Sequence, residues 1–211
     1  MPGPTPCLRL LGAALSLAAA LPCAAHAATD EAEPAAADAA ADTAALEARA
    51  RTAIKTLGGQ LVQELKAAIE AEGPVHAIDV CHTIAPRIAD ETSARQNLSV
   101  GRTSHKVRNP TNLPDEWETE VLDAFLAAAE AGTPIATLEK GAVVDGEDGR
   151  HFRYMKGIPT KPLCLNCHGA DLTPEVQAAI DETYPQDRAT GFAVGDLRGA
   201  FTVSIPLDAE D

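Results

Sequence analysis

The segment Cys164-Leu165-Asn166-Cys167-His168 combines two thiols and an imidazole at a fixed spacing. This C-x-x-C-H pattern is the attachment signature of a c-type haem, in which both thiols form thioethers and the histidine binds the iron. Two intervening residues let the sulfurs reach two edges of one porphyrin, and the next residue then projects its side chain toward the central metal. The motif therefore predicts one covalent haem c bound by Cys164, Cys167 and His168.

Three other chemistries use the same residue types. A redox-active C-x-x-C normally opens a helix after a strand of a βαβ unit, whereas the strands predicted here lie in an antiparallel arrangement. A structural zinc site could draw on Cys81, Cys164, Cys167 and His168, but the neighbours Cys167 and His168 would have to share one small ion. A disulfide between Cys164 and Cys167 leaves Cys81 unpaired and gives His168 no role. Haem attachment is therefore the favoured interpretation.

The N-terminus has the organisation of a secretory signal peptide. Arg9 precedes an apolar run from Leu10 to Leu21, and small residues at Ala25-His26-Ala27 provide a cleavage site. Residues 1–27 are therefore predicted to be removed. The apolar run is shorter than the about 20 residues that a membrane span requires. We expect a periplasmic protein with no membrane span after cleavage.

The cysteines that would remain after cleavage form an odd set. Of the five in the sequence, Cys81, Cys164 and Cys167 lie beyond the signal peptide. Disulfide stapling of an exported protein would normally use an even number, so these sulfurs are expected to serve another purpose. A lipid anchor at Cys23 is the less favoured form, because Pro22 stands where that processing favours a small, unconstrained residue.

The charge balance is strongly acidic. The chain has 31 acidic and 17 basic residues and a net charge of −14. Such a surface repels phosphate backbones and anionic lipid headgroups, which argues against nucleic acid and membrane-surface partners. The expected partner is a redox protein or a membrane signalling protein with a basic face.

The composition predicts three parts of the chain. Residues 28–42 consist almost entirely of Ala, Asp, Glu and Pro, which predicts a flexible acidic leader after the signal peptide. Residues 43–211 are expected to form one domain with a compact core. Helical periodicity dominates its first half, and β-like segments with Gly-rich turns dominate its second half. This order predicts an α+β fold with N-terminal helices packed on an antiparallel sheet.

The individual elements can also be predicted. Apolar residues recur at helical steps from Leu46 to Ile69, and Gly73-Pro74 ends that helix. Residues 99–114 are polar and turn-rich, which predicts a long loop. The other predicted elements are a helix from Pro74, helices over 114–131 and 174–183, and strands over 142–144, 151–158 and 200–207.

The second predicted helix has an apolar stripe that runs from Val75 to Ile88, and Cys81 lies in the middle of this stripe. A lone cysteine in such a place often packs only as a small hydrophobe. Here it is also the thiol left over in an exported protein, and bonding to iron would protect it from oxidation. His82 lies about 100° away around the helix, at the edge of the stripe.

Four segments between Leu46 and Leu207 resemble a family of single-haem c-type domains with a PAS-like fold, long catalogued as a domain of unknown function. They are AIDVCHTIAPRIA, GRTSHKVRNPTNLPDEWE, YMKGIPTKPLCLNCHG and YPQDRATGFAVGDLRGAFTVSIPL. In that family the domain occurs as a stand-alone exported protein or as the outer sensing part of membrane receptors and kinases. This chain resembles the stand-alone type.

The resemblance implies a second axial ligand for the iron. The family pattern places a cysteine on an early helix in that role, and the matching residue is Cys81, opposite His168. His82 is the main rival, since a modest helix rotation would exchange it with Cys81. Met155 is interpreted as a strand residue that packs on the haem. The remaining candidate ligands, with weaker claims, are His76, His105 and His151.

The haem propionates require donors, and five basic residues flank the segments expected around the porphyrin. One or two of them are predicted to bind the propionates, and the others to be ordinary surface cations. The five are Arg102, Arg108, Arg153, Lys156 and Arg198.

A haem ligated by His168 and Cys81 is compatible with three functions. A thiolate ligand stabilises ferric iron and lowers the reduction potential, which favours a redox-responsive sensor or signalling module. A small periplasmic electron-transfer cytochrome is the alternative. A haem enzyme that oxidises sulfur compounds is less favoured, because the motif lacks a convincing acid/base pair nearby, and no catalytic residue is assigned.

Overall fold

The computed structural model describes residues 33–207, and the domain begins with two long helices. Helix α1 spans Glu33–Glu72 and helix α2 spans Pro74–Gln96. They are joined by Gly73, which has a φ of 85° and is followed by the proline that opens α2. Proline is favoured at a first helical position because its missing N–H has no partner there anyway. The predicted end of the first helix at Gly73-Pro74 is confirmed.

The leader predicted over residues 28–42 overlaps α1. Residues 33–42 are helical, in contrast to the irregular segment that their low-complexity composition suggested. Alanine and glutamate have high helix propensity, and they extend a helix that is anchored further along by core contacts. The predicted signal peptide, residues 1–27, and residues 28–32 lie outside the described part of the chain.

Four strands form one antiparallel sheet. They are β1 (Ser99–Thr103), β2 (Glu139–Gly146), β3 (Gly149–Pro159) and β4 (Leu197–Pro206), in the spatial order β1-β4-β3-β2. Every neighbouring pair is antiparallel. The α+β fold with helices first and an antiparallel sheet afterwards is therefore confirmed, and strands β2 to β4 lie where β-like composition predicted them.

The first strand is a correction to the prediction of a loop over residues 99–114. Strand β1 occupies the start of that segment, and a short 3-10 turn occupies Pro110–Asn112. As an edge strand, β1 pairs only with β4, with Val100 opposite Val203. Val100 is its one buried aliphatic residue, so the strand has too little apolar alternation to be recognised from sequence.

Helices cover both faces of the sheet. On one face α1 contributes Ala53 and Leu57 to a core that includes Phe152 and Tyr154 from β3. On the other face lies helix α3, Glu116–Glu130, which begins with a capping box between Asp115 and Glu118. Its apolar side packs on the sheet in a cluster made of Val121, Leu122, Phe125, Ile135, Leu138, Met155 and Ala200.

Two shorter helices complete the domain. Helix α4 is the single turn Leu165–His168, and helix α5 spans Pro174–Thr183 as predicted. Ile78 of α2 packs against Val176 and Ile180 of α5, which connects the second helix to the C-terminal half of the chain. Within residues 33–207, none of the helices is both long and apolar enough to cross a membrane.

Candidate functional site

A cavity of about 450 Å³ is lined by residues of α1, of α2 and of the segment that carries α4. Its volume is within the range of pockets that hold organic cofactors. Cys81, Cys164, Cys167 and His168 all line it, so the structure brings the four predicted site residues to one space. They come from two parts of the fold, because Cys81 belongs to α2 and the other three lie in or beside α4.

The spacing of these donors distinguishes a large cofactor from a bare ion. Among the described residues, no three His, Cys, Asp or Glu side chains converge closely enough to hold a metal ion by themselves. Cys81, Cys164 and Cys167 are free thiols and are half-buried. Soft sulfur and imidazole donors spread around a mostly apolar cavity fit a planar group that carries its own metal, as a haem does.

The local fold of the motif exposes its side chains to the cavity. Strand β3 ends at Pro159, and a 3-10 turn at Pro162–Cys164 leads directly into α4. Gly169 ends this turn, and a Cβ added there would lie only 2.8 Å from the Leu165 carbonyl oxygen. The absence of a side chain at Gly169 therefore permits the tight exit from the motif.

A backbone contact fixes the orientation and tautomer of His168. Its Nδ1 lies 2.6 Å from the Ala189 carbonyl oxygen, which can only accept a hydrogen bond, so Nδ1–H donates and Nε2 is left unprotonated. Burial lowers the pKa of His168 well below its usual value, and the nearby Arg198 and Arg108 lower it further. A neutral imidazole with a free Nε2 is the form that binds a metal.

The carbonyl that holds His168 belongs to a strap, residues 187–192, that crosses behind the motif. The backbone N–H of Phe192 donates to the His168 carbonyl at 2.9 Å, and the backbone N–H of Gly191 donates to the Gly169 carbonyl at 3.0 Å. The Phe192 ring also meets the His168 ring edge to face, with centroids 6.3 Å apart. The strap therefore helps to position the motif through contacts that are independent of the chain on either side of it.

Arg108 ties the strap to the motif. Its Nε donates to Asp187 at 2.9 Å, and its Nη2 donates to the Cys167 carbonyl at 2.6 Å. Nη2 also lies 3.3 Å from the Ala189 carbonyl, the acceptor of the His168 hydrogen bond. The ion pair is largely buried, with side-chain exposures of 10% for Arg108 and 8% for Asp187. One arginine thus links the carbonyls of both segments that hold the imidazole.

Cys81 lies in the first half of α2 and lines the cavity. Its helical neighbours Ile78, Ala85 and Ile88 are buried as the predicted stripe requires, whereas Val75 is 41% exposed at the start of the helix. Burial raises the pKa of the Cys81 thiol, and the positive charges of Arg102, Arg108 and Arg198 act in the opposite direction. The thiol therefore faces the arginine-rich part of the cavity.

His82, the rival ligand, points away from the cavity. It is exposed, and its ring packs edge to face on Tyr184 with centroids 5.2 Å apart. His76, His105 and His151 also lie outside the cavity lining. His76, His105 and His151 are instead near carboxylates, at 4.0 Å from Glu72, 3.2 Å from Asp123 and 3.1 Å from Asp148 respectively.

Met155 is a correction. It was expected to pack on the haem, but it is fully buried on the other face of the sheet, beside Leu122 and Phe125 of α3. The strand alternation explains this position, since the neighbouring Tyr154 faces α1 and successive side chains point to opposite faces.

The five basic residues considered for the propionates divide into two groups. Arg102, Arg108 and Arg198 line the cavity. Arg153 binds Asp115 and Glu118 and lies over the Trp117 ring, so it stabilises the start of α3. Lys156 is paired with Glu139 on the sheet.

The sequence did not assign roles to Asp187 and Ala189. Both lie within the segment beginning at Tyr184 that carried part of the family resemblance, but a backbone carbonyl leaves no mark in side-chain chemistry. Asp187 and Arg108 are separated by 79 positions, so their pairing depends on the tertiary fold.

Together, the fold and the site define an α+β domain with a cofactor cavity beside a C-x-x-C-H turn. The chain belongs to the Tll0287-like family, whose model matches residues 24–206. It is also similar to a solved structure described as the crystal structure of the cyanobacterial heme-protein Tll0287. That alignment has 27% sequence identity and a TM-score of 0.58, and it covers 78% of this chain and 96% of the other. No curated protein is significantly similar to this chain. The family resemblance indicated by the sequence is confirmed.

Proposed function

We propose that the chain is an exported, periplasmic protein that holds one covalent haem c and works as a redox-responsive sensor or signalling module. One observation carries the proposal: a single cavity is lined by the two cysteines and the histidine of a C-x-x-C-H turn and, on helix α2, by Cys81. The similar solved structure is of a heme-protein, which supports the same cofactor.

Each site residue has a distinct role in this proposal. Cys164 and Cys167 form the two thioethers, and His168 binds the iron through the Nε2 that its contact with Ala189 leaves free. Cys81 approaches from α2 as the second axial ligand. The bound haem supplies one-electron redox chemistry.

The sensor role follows from the position of Cys81 on helix α2. A thiolate is held less firmly by ferrous than by ferric iron, so reduction favours protonation and release of Cys81. The helix that carries it packs on α1 through Ile88 and on α5 through Ile78. Release would therefore remove one restraint on α2 and pass a redox change to neighbouring helices.

Electron transfer is the second candidate, and the exposure of the motif favours it. Cys164 and Cys167 are only half-buried, so the haem edge bonded to them would lie near the surface. An acidic chain with a net charge of −14 would attract a redox partner with a basic face. The two functions differ in whether α2 responds to the oxidation state.

Replacing the proposed axial cysteine tests the site. In Cys81→Ser the reduction potential is expected to rise by on the order of 100 mV, since axial ligands set haem potentials over a span of about 0.8 V. The low-spin ferric thiolate signature in electron paramagnetic resonance is expected to disappear. A redox titration followed by absorption spectroscopy measures the potential.

The neighbouring His82→Ala variant is the matched control. Because His82 is exposed and packs on Tyr184, both the potential and the resonance signal are expected to stay near those of the unmodified protein. If Cys81→Ser left both unchanged while His82→Ala altered them, His82 would be the ligand and the protein would be a bis-histidine electron carrier.

A further inference from the structure

The cavity contains more positive charge than the protein itself neutralises. Three guanidinium groups line it, those of Arg102, Arg108 and Arg198. Burying a cation without a partner is strongly unfavourable, so each of these groups should have an anion or a set of acceptors. The partners that the protein provides differ sharply among the three.

Arg108 is fully engaged by the protein. It forms two contacts with the carboxylate of Asp187, at 2.9 and 3.2 Å, and it also donates to the Cys167 carbonyl. Its charge is therefore neutralised, and its donors are directed at the backbone that supports the motif. Arg108 has no need of an anionic ligand.

Arg102 is in the opposite situation. Its side chain extends from β1 into the cavity and forms no ion pair or hydrogen bond with other side chains or carbonyls within residues 33–207. The acidic residues Glu64 and Asp90 also line the cavity, but both are exposed and neither is paired with Arg102. A guanidinium with five donors is thus presented to the cavity without an acceptor.

Arg198 is only partly satisfied. Its Nη1 lies 3.3 Å from the Ser104 hydroxyl and 3.2 Å from the Lys106 carbonyl, and both acceptors are uncharged. Its guanidinium carbon lies 5.1 Å from the centre of the Phe192 ring, which holds the group in place but does not neutralise it. Within the described part of the chain, no carboxylate is paired with Arg198.

We infer that Arg102 and Arg198 bind the two propionate carboxylates of the haem, an inference that rests on the proposed function. Two uncompensated guanidiniums match the two carboxylates of one haem in number and charge. Planar guanidinium donors also match carboxylate geometry, in which two parallel hydrogen bonds form. Arg108 instead positions the motif.

Substitutions in the holoprotein test this assignment. Arg102→Met and Arg198→Met each remove one proposed donor, and Arg87→Met is the matched control, since Arg87 is an exposed residue on α2. The resonance Raman bending band of the haem propionates reports their hydrogen bonding. We expect this band to shift to lower frequency in both cavity variants and to stay unchanged in Arg87→Met.

Lysine variants test the same assignment if the methionine variants mature poorly. Arg102→Lys and Arg198→Lys keep the charge but lose the two-pronged contact, so a smaller shift in the same direction is expected. Unmoved propionate bands in the cavity variants, with covalent haem still present by mass, would overturn the inference alone. A wild-type protein whose mass shows no haem would overturn the proposed function, and this inference with it.

Discussion

At the scale of single residues, the position of His168 depends on groups outside the set of candidate ligands. The His168 ring is oriented by the Ala189 carbonyl, and Arg108 joins that carbonyl to the one at Cys167. Asp187 holds Arg108 and also accepts a hydrogen bond from the Ala189 N–H at 3.1 Å. The Asp187 carboxylate thus supports the imidazole through two linked contacts, one to Arg108 and one to the Ala189 N–H.

This arrangement predicts a large stability effect for Asp187→Asn. The substitution leaves a largely buried Arg108 without its charged partner, and breaking such a pair typically costs about 3–5 kcal/mol. Equilibrium unfolding in urea measures the change in the free energy of unfolding.

The control for this prediction is Asp181→Asn. Asp181 accepts a hydrogen bond from Gln177 on the exposed surface of α5, where a substitution changes the free energy of unfolding by about 0.5 kcal/mol or less. Equal losses in the two variants would contradict the role of Asp187 as the charged partner of Arg108.

At the scale of secondary-structure elements, periodicity and composition predicted most of the helices and strands. Helix α2, the strands after residue 139 and the motif turn follow from local patterns. Strand β1 does not, because only its pairing with β4 gives the segment its extended form. The sheet face on which Met155 lies was also predicted wrongly. One apolar residue in a strand does not indicate which face of the sheet meets the cavity.

Helix α2 is the element that separates sensing from plain electron transfer. If reduction releases Cys81, amide hydrogen exchange should speed up across residues 74–90, where the backbone N–H groups depend on helical order. The comparison is between fully oxidised and fully reduced protein at one pH, followed by mass spectrometry of peptides. Helix α3, which packs on the other sheet face, is the internal reference.

An unchanged exchange pattern in residues 74–90 would contradict the sensor proposal. The protein would then retain its haem site but act as an electron carrier. Faster exchange in both α2 and α3 would also count against it, because it would indicate general loosening and no specific release.

At the scale of the whole molecule, the two halves of the chain line one cavity together. Helix α2 supplies Cys81, and the segment after β3 supplies the C-x-x-C-H turn. The family assignment over residues 24–206 covers both. The boundary at residue 28 and the export of the chain stay predictions, since the N-terminal 32 residues lie outside the described structure. The predicted boundary at residue 43 falls within helix α1.

The mass of the purified, denatured holoprotein is the most direct test of covalent haem attachment. Two thioethers at Cys164 and Cys167 would keep the haem attached after denaturation, so the mass should equal the polypeptide from Ala28 onwards plus one haem. Cys164→Ser and Cys167→Ser should each leave at most one thioether and mature poorly. Haem that is extracted by acidic organic solvent, leaving a protein with the polypeptide mass alone, would contradict covalent attachment at Cys164 and Cys167.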